Sequence, residues 1–471
     1  MAVELATSAL ALEVARITQS AGSPYFSFSC IVHAGGKDLV PLQFIRSDLT
    51  RDYRASYSDA NTVVLAFGVG TAMNDIGPYQ DDLRMTINIS NSDTQGTQRS
   101  NDPVLSRTLV AYLADEMPSP TDSSFNPSLT DTETANRSKI IHLRFTLEEV
   151  AVQQLRKMYL GMNGRHTAPF MVMQTLLSNA CAALKLSTDE ALNQFELTPP
   201  NNTTPRSHVV IRDTTPVLEI PDLIQNEQGG IYSTGLGFYI QGRCLYTWPL
   251  YDMYRQDSAK RILQIVLAPT RHSTMIDKTW VNDGRMVSIY SAGINQINDD
   301  SLGALNNRGN AVRFTLASSL IDGGPTVSGN KMTANRSKTN SEFSTTVMGN
   351  GQNVAPLSKN TVTNNIYQET TKLASRAGAI LSVPWRRSNP ELITPGMAVE
   401  VLFDHDGIIR TIEGTLLFGV HSYELEGQGM NATRVYATTT LSVFVDRNDP
   451  DYIAYVKGGG APSPTPEIAN L

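Results

Sequence analysis

Apolar and polar positions along the chain change period several times, and each change predicts a different kind of element. Over residues 1–17 (MAVELATSALALEVARI) the apolar positions fall at helical spacing and predict an amphipathic helix. From Tyr25 the period drops to two: FSFSCIVH, a Gly35-Gly36 turn, LVPLQFIR, then TVVLAFGV and LRMTINIS, the alternation of an antiparallel sheet. Between residues 91 and 137 the period is lost among Ser, Thr, Asn, Asp and Pro, which predicts a long surface loop. KIIHLRFTL then resumes the sheet and can pair back with the first set.

A helical block follows. FTLEEVAVQQLRKMYL carries Thr146-x-x-Glu149, the spacing of a capping box, and PFMVMQTLLSNACAALKL has apolar residues three and four apart. From His208 to about Tyr290 the strands HVVIR, GLGFYIQ, RCLYTWP and LQIVLAP accompany a short helix around DLIQNE, an α+β pattern. After Ala311 comes VRFTLAS, then a span over 322–367 whose Asn, Gly, Ser and Thr cannot bury a core. That span is either a loop or a segment ordered by a partner. The closing stretch, GAILSVPW, PGMAVEVLFDHDGIIRTIEGTLLFGVHSYEL and ATRVYATTTLSVFVDR, predicts a meander of at least four strands. Asp406-Gly407 marks its tightest hairpin, because both central residues of that turn need positive φ.

The expected organisation is a β-rich α+β chain of several modules. Residues 1–24 form an N-terminal helix or arm, 25–150 a first β unit with the loop 91–137, and 151–200 a helical insertion. Residues 201–300 form an α+β module, 301–456 a second β unit with the loop 322–367, and 457–471 a flexible tail. A length of 471 residues suits roughly two to four modules of ordinary size.

Composition narrows the function. Charged residues make up 18% of the chain, below the usual level of about 25%, and Ser, Thr, Asn and Gln fill the difference, as on an extended β-rich surface. Net charge is -7, from 38 Lys and Arg against 45 Asp and Glu, with no basic tail to follow a phosphate backbone. Nucleic acid is therefore not expected as a direct ligand. Cys30, Cys181 and Cys244 are scattered among apolar neighbours and read as small core residues of a reduced protein. The N-terminal run resembles a signal peptide, but Glu4 and Glu13 interrupt it and no positive region precedes them. No other stretch has the roughly 18 apolar residues of a membrane span, so a soluble protein is expected.

Candidate chemistry is sparse. His33, His142, His166, His208, His272, His405 and His421 show no zinc spacing. Asp404-His405-Asp406 is the nearest to a metal cluster, but alternate side chains of a hairpin turn diverge. Gly68-Val69-Gly70 lacks the third glycine of a dinucleotide loop, and neither a phosphate-binding loop nor a Gly-x-Ser-x-Gly elbow occurs. Glu148-Glu149 and Asp81-Asp82 could be read as glycosidase pairs, but adjacent residues point apart. No catalytic residue, cofactor or metal ligand is assigned, and no enzyme activity is expected. The aromatic stretch from Tyr232 to Tyr254 remains open to three readings: a sugar-stacking platform, an anchor-rich protein interface, or an ordinary β core.

Three stretches carry a resemblance: the opening sheet from Tyr25 to Ser90, IPDLIQNEQGGIYSTGLGFYIQGRCLYTW, and PELITPGMAVEVLF…GTLLFGVHSYELEG…TTTLSVFV. Their order resembles the central baseplate hub protein of contractile-tailed bacteriophages, the family that initiates the tail tube. The resemblance covers about two thirds of the chain and rests on strand and turn patterns, leaving both long loops and the N-terminal helix unmatched. It implies two tail-tube-like antiparallel β-barrels with an inserted helical and α+β segment. It further implies a structural virion protein of the tail baseplate, assembled in the host cytoplasm as a homotrimer. Such a hub meets the tail tube protein, other baseplate proteins and the central spike protein, adapts a six-fold tube to a three-fold spike, and passes DNA only as cargo through its lumen. The alternatives are a tail-associated adhesin or sugar-binding baseplate protein, and a hub that carries cell-wall hydrolase activity.

Overall fold

The computed structural model describes residues 2–19, 25–92, 105–114, 140–187, 190–268, 279–298, 326–328, 331–333, 346–348, 353–355, 366–426 and 434–458. The chain opens with a helix, Ala2–Gln19, where helical spacing predicts one. Seven strands follow: β1 (Tyr25–Ala34), β2 (Lys37–Leu39), β3 (Gln43–Asp52), β4 (Ala60–Gly68), β5 (Leu83–Ser92), β6 (Leu105–Leu113) and β7 (Ile140–Glu149). The middle holds β8 (Met162–Thr167), β9 (Gln194–Leu197), β10 (Arg206–Ile211), β11 (Leu236–Gln241) and β12 (Cys244–Pro249), with helices Val150–Arg156, Pro169–Ala183 and Ile220–Asn226 among them. Next come β13 (Ile262–Leu267), β14 (Trp280–Asn282), β15 (Met286–Ser291) and β16 (Gln296–Asn298), then β17 (Thr326–Ser328), β18 (Lys331–Thr333), β19 (Thr346–Met348) and β20 (Asn353–Ala355). The helix Ile366–Ala377 leads into β21 (Gly378–Arg386), β22 (Ala398–His405), β23 (Ile408–Leu425) and β24 (Val435–Asp446), and the helix Pro450–Lys457 closes the described chain.

One 15-stranded sheet dominates, in the order β14-β15-β13-β22-β23-β3-β4-β7-β6-β5-β1-β24-β21-β16, with β2 beside β1. Because β23 also pairs with β24, the eight strands from β23 through β3 to β24 close a circuit of pairings. Its interior holds Phe26, Val63, Leu65, Phe67, Met85, Phe145 and Tyr423. The remaining strands wrap a second core around Tyr239, Trp248, Leu263, Trp385, Val401 and Phe444. A third, smaller core collects the helices and β8–β12 around Val152, Val172, Leu176, Val209, Ile220 and Ile240.

β23 serves two cores in turn. Its first half pairs with β22 and sends Ile412 and Leu416 into the second core; after a register shift between Leu416 and Phe418, its second half pairs with β3 and sends Tyr423 into the first. β24 does the same, with Leu441, Val443 and Val445 in the second core and Val435 and Ala437 in the first.

Several expectations need correction. Within the expected loop 91–137, β6 is a strand paired on both sides, with Leu109 and Ala111 buried; a period-two run of nine residues is easily lost in a polar stretch. Residues 93–104 and 115–137 of that loop lie outside the described residues. Thr146 caps no helix: it sits inside β7 opposite Thr62 and Tyr112, and the helix it was expected to start begins at Val150. The sheet is not wholly antiparallel, since β13 runs parallel to both β15 and β22. Both its faces are covered, by the second core through Leu263 and Ile265 and by the N-terminal helix, whose Leu10, Val14 and Ile17 pack on Val266 and Ala268. These pairings also cross the expected boundary at residue 300. Of the span 322–367, β17–β20 form two small hairpins and the helix from Ile366 begins at its end; the rest of it, VRFTLAS and the tail 459–471 lie outside the described residues. Asp406 and Gly407 have φ of 53° and 79° and turn β22 into β23, as the sequence requires.

Candidate functional site

The residues singled out by sequence do not converge. His33 bridges Asp38 (2.7 Å) and Thr86 (2.8 Å) on the sheet surface, His208 lies 3.3 Å from Asn163, and His421 is buried with Nδ1 2.9 Å from Thr439 Oγ1. Burial, with Arg51 nearby, holds His421 well below the ordinary histidine range, so it stays neutral. In the Asp404-His405-Asp406 turn, Asp404 accepts from the Gly407 amide at 2.9 Å, while His405 and Asp406 approach only to 3.5 Å. Among the described residues no three His, Cys, Asp or Glu side chains gather as metal ligands; His272 lies outside them. Val69, between Gly68 and Gly70, is buried and follows β4 into a short helical turn. Glu148 faces outward to Arg156 at 2.6 Å and Glu149 inward, so the pair diverges as expected.

The aromatic stretch forms core. Tyr232 and Phe238 belong to the third core, and Tyr239 and Trp248 to the second; Trp248 lies against Gly396, whose φ is 73° and where an added Cβ would sit 2.9 Å from the ring. Among these rings only Tyr254 is largely exposed. The faces a sugar would need are therefore turned inward.

What does converge is a set of charges that the sequence reading passed over. Arg51 of β3 is fully buried, with Nε 3.2 Å from Asp59, and donates to the carbonyls of Pro390 (2.6 Å) and Ile393 (3.2 Å). Arg107 of β6 lies 3.7 Å from Asp59, 3.8 Å from Glu149 and 3.7 Å from Glu391. Tyr239 donates to Asp59 at 3.0 Å and Tyr423 to Glu391 at 3.2 Å, while the Gly242 amide, in the turn between β11 and β12, donates to Glu149 at 2.8 Å. The cluster thus ties together strands feeding all three cores. A period-two clue exists: Arg51 and Arg107 occupy the inward phase of Ser47-Leu49-Arg51 and Leu105-Arg107-Leu109.

Two cations face three carboxylates. Burial opposes the charge on Arg51, but Asp59 and Glu391 outweigh it and raise its pKa. Burial pushes the Glu149 carboxyl up to about 7, against the pull of Arg107. A cavity of about 30 Å³ open to the centres of water molecules lies beside Arg107, Glu149 and Glu391, lined otherwise by Phe28, Leu49 and Ile89. That is room for on the order of two waters and not for a sugar ring. The carboxylates are held by the two arginines, by the Tyr239 and Tyr423 hydroxyls and by the Gly242 amide. Chemically the cluster is a brace.

No family model matches the chain, and no curated protein matches it. Some solved structures match most of the chain at low identity. A tail protein from Neisseria meningitidis is 12% identical, covering 89% of this chain and 96% of that one with a TM-score of 0.40. The 43 kDa tail protein of prophage MuSo2 from Shewanella oneidensis is 9% identical, covering 88% and 98% with a TM-score of 0.41. An E. coli component of the type VI secretion system, described as similar to bacteriophage T4 tail proteins, is 9% identical, covering 88% and 76% with a TM-score of 0.34. No residue role passes from these structures to this chain.

Proposed function

We propose that this chain is a structural subunit of a phage-type tail baseplate, the hub that joins the tail tube to the central spike. The observation that carries the reading is the sharing of β23 and β24 between two β cores, braced where they meet by Arg51 and Arg107. On this reading the two cores are the hub's two tube-like barrels, and the helical and α+β segments are insertions between them. Three such subunits around an axis present six β units, which matches a six-fold tube on one face and a three-fold spike on the other. DNA passes through the lumen as cargo. The role is geometric and needs no catalytic residue. No helix among the described residues is long and apolar enough to cross a membrane.

Light scattering on the purified chain, alone and mixed with its candidate tube protein, tests the proposal. A trimer, or a monomer that trimerises on mixing, supports the hub. A stable monomer indifferent to tube protein overturns it.

A further inference from the structure

One wall of the third core is the two-stranded sheet of β8 and β10, which no third strand joins among the described residues. Its register sets Arg165 opposite His208, Asn163 opposite Val210 and Thr167 opposite Arg206. Alternating with these, Gly164, Val209 and Ile211 are buried, so the first set stands on the outer face. The helix Pro169–Ala183 lines the inner face so closely that a Cβ on Gly164 would lie 2.6 Å from Val172.

The backbone of this sheet has one open edge. Val210 donates its amide to the Gln228 side chain at 3.2 Å and not across the ladder. Residues directly opposite each other in an antiparallel pair either exchange both hydrogen bonds or make none, so the amide of Asn163 points away from β10, and that of Arg165, two residues on, does the same. Gln228 sits across the outward row of β10. On β8 nothing does: among the described residues neither the Asn163 nor the Arg165 amide has a partner, and the Arg165 carbonyl accepts only from the Thr167 hydroxyl, at 2.8 Å. His166, at φ 48°, ends the regular edge.

The side chains around that edge carry one sign. Between Glu149 and Asp189 the sequence has Arg156, Lys157, Arg165 and Lys185 and no acid; between Glu196 and Asp213 it has Arg206 and Arg212 and no acid. Arg156 is taken by Glu148, but among the described residues Arg165, Arg206 and Arg212 make no ion pair. Tyr159 and Met171, both more than half exposed, lie beyond the two ends of β8. An arginine on an open edge repels the same edge of a second copy, where it would meet its own kind, and attracts a strand of opposite charge. We infer that β8 receives an acidic, extended segment of a partner protein as the third strand of this sheet. The partner's main chain takes the Asn163 and Arg165 amides, and its carboxylates, at alternate positions, face Arg165 and the arginines beside it. Amides two residues apart along an edge fit a peptide main chain, and the net charge of -7 opposes a long polyanion. The inference goes beyond the hub reading and needs neither a trimer nor tube protein.

The test titrates the full-length chain into a fluorescently labelled short peptide of alternating glutamate and valine and reads anisotropy. Arg165→Glu reverses the charge, and Asn163→Pro removes an outward amide that the β8–β10 ladder does not use; circular dichroism checks that both variants fold. The expected result is saturable binding by the wild type, weakened roughly tenfold or more by either variant and by methylation of alternate peptide nitrogens, and absent when lysine replaces glutamate. Should Asn163→Pro fail to fold, the methylated peptide against the wild type carries the backbone test alone. Absence of wild-type binding overturns the inference. Binding that Arg165→Glu weakens but Asn163→Pro and methylation leave unchanged also overturns it, because charge without strand pairing then explains the contact. Tighter binding of a duplex DNA probe than of the peptide, lost in Arg165→Glu, overturns it in favour of a polyanion. None of these results bears on mixing with tube protein, which judges the hub separately.

Discussion

The two β cores share strands yet are sealed by different means. The first is sealed by hydrogen bonds: its eight strands return to their starting pair, and its interior is aliphatic and phenylalanine-rich. The second is an open run from β14 to β16, and large side chains do the sealing. Trp385 is fully buried and donates to Thr279 at 3.0 Å, Trp248 stacks over Gly396, Tyr455 of the last helix packs edge-on against Phe403, and Tyr452 joins the same core. Backbone closure tolerates the loss of any single interior side chain better than closure by a few large plugs does, because a plug leaves a hole and an unclosed edge together.

The most damaging single change strikes the brace between the cores. Arg51→Ala leaves three buried carboxylates facing Arg107 alone and strips the Pro390 and Ile393 carbonyls of their donor, and its cost falls at the upper end of about 3–5 kcal/mol, read as a lower urea midpoint for the whole chain. Trp385→Ala should cost about 3–4 kcal/mol, and native-state hydrogen exchange should rise in β21 and β14 before it rises in β4 or β5. Uniform loss of protection would break the contrast between the two seals.

A smaller effect depends on pH. Burial raises Glu149 from an ordinary 4.5 to about 7, so the folded state holds its proton more tightly than the unfolded chain. The stability this contributes is fully present below 4.5 and is lost as pH rises through 7, on the order of 2–3 kcal/mol. Urea melts from pH 5 to 8 should therefore show declining stability, and Glu149→Gln should flatten that decline. Last, Gly407→Ala places a Cβ at φ 79° in the β22–β23 turn and should cost about 1 kcal/mol, measured by thermal unfolding.

Local chemistry made some of this legible. Asp406-Gly407 demands its turn from two residues, Pro169 opens its helix at the first position, and FSFSCIVH alternates because one face of β1 is buried. Elements whose reasons are distant stayed hidden. β6 is a strand because β5 and β7 flank it, and its own neighbours in sequence are polar. The parallel pairing of β13 depends on the N-terminal helix, nearly 250 residues earlier in the chain, covering its far face. Glu149 was noticed only as half of an adjacent acidic pair, whereas its partner Arg107 lies in the stretch expected as a loop and Gly242 comes from another module. Arg51 and Arg107 stood on the apolar phase of their strands, a sign readable in principle, but the identity of their carboxylates follows only from the fold.

The sharing of β23 and β24 also sets the order in which a ribosome can finish this protein. β1 to β7 are complete once Glu149 has emerged, but the strands that join β3 to β1 end about 300 residues later, at Asp446. At roughly 5–20 residues per second that is a wait of roughly 15–60 s with two unpaired sheet edges facing solvent. So high a contact order makes the closing step slow, and a chain cut short before β23 would lose the seam of both cores at once.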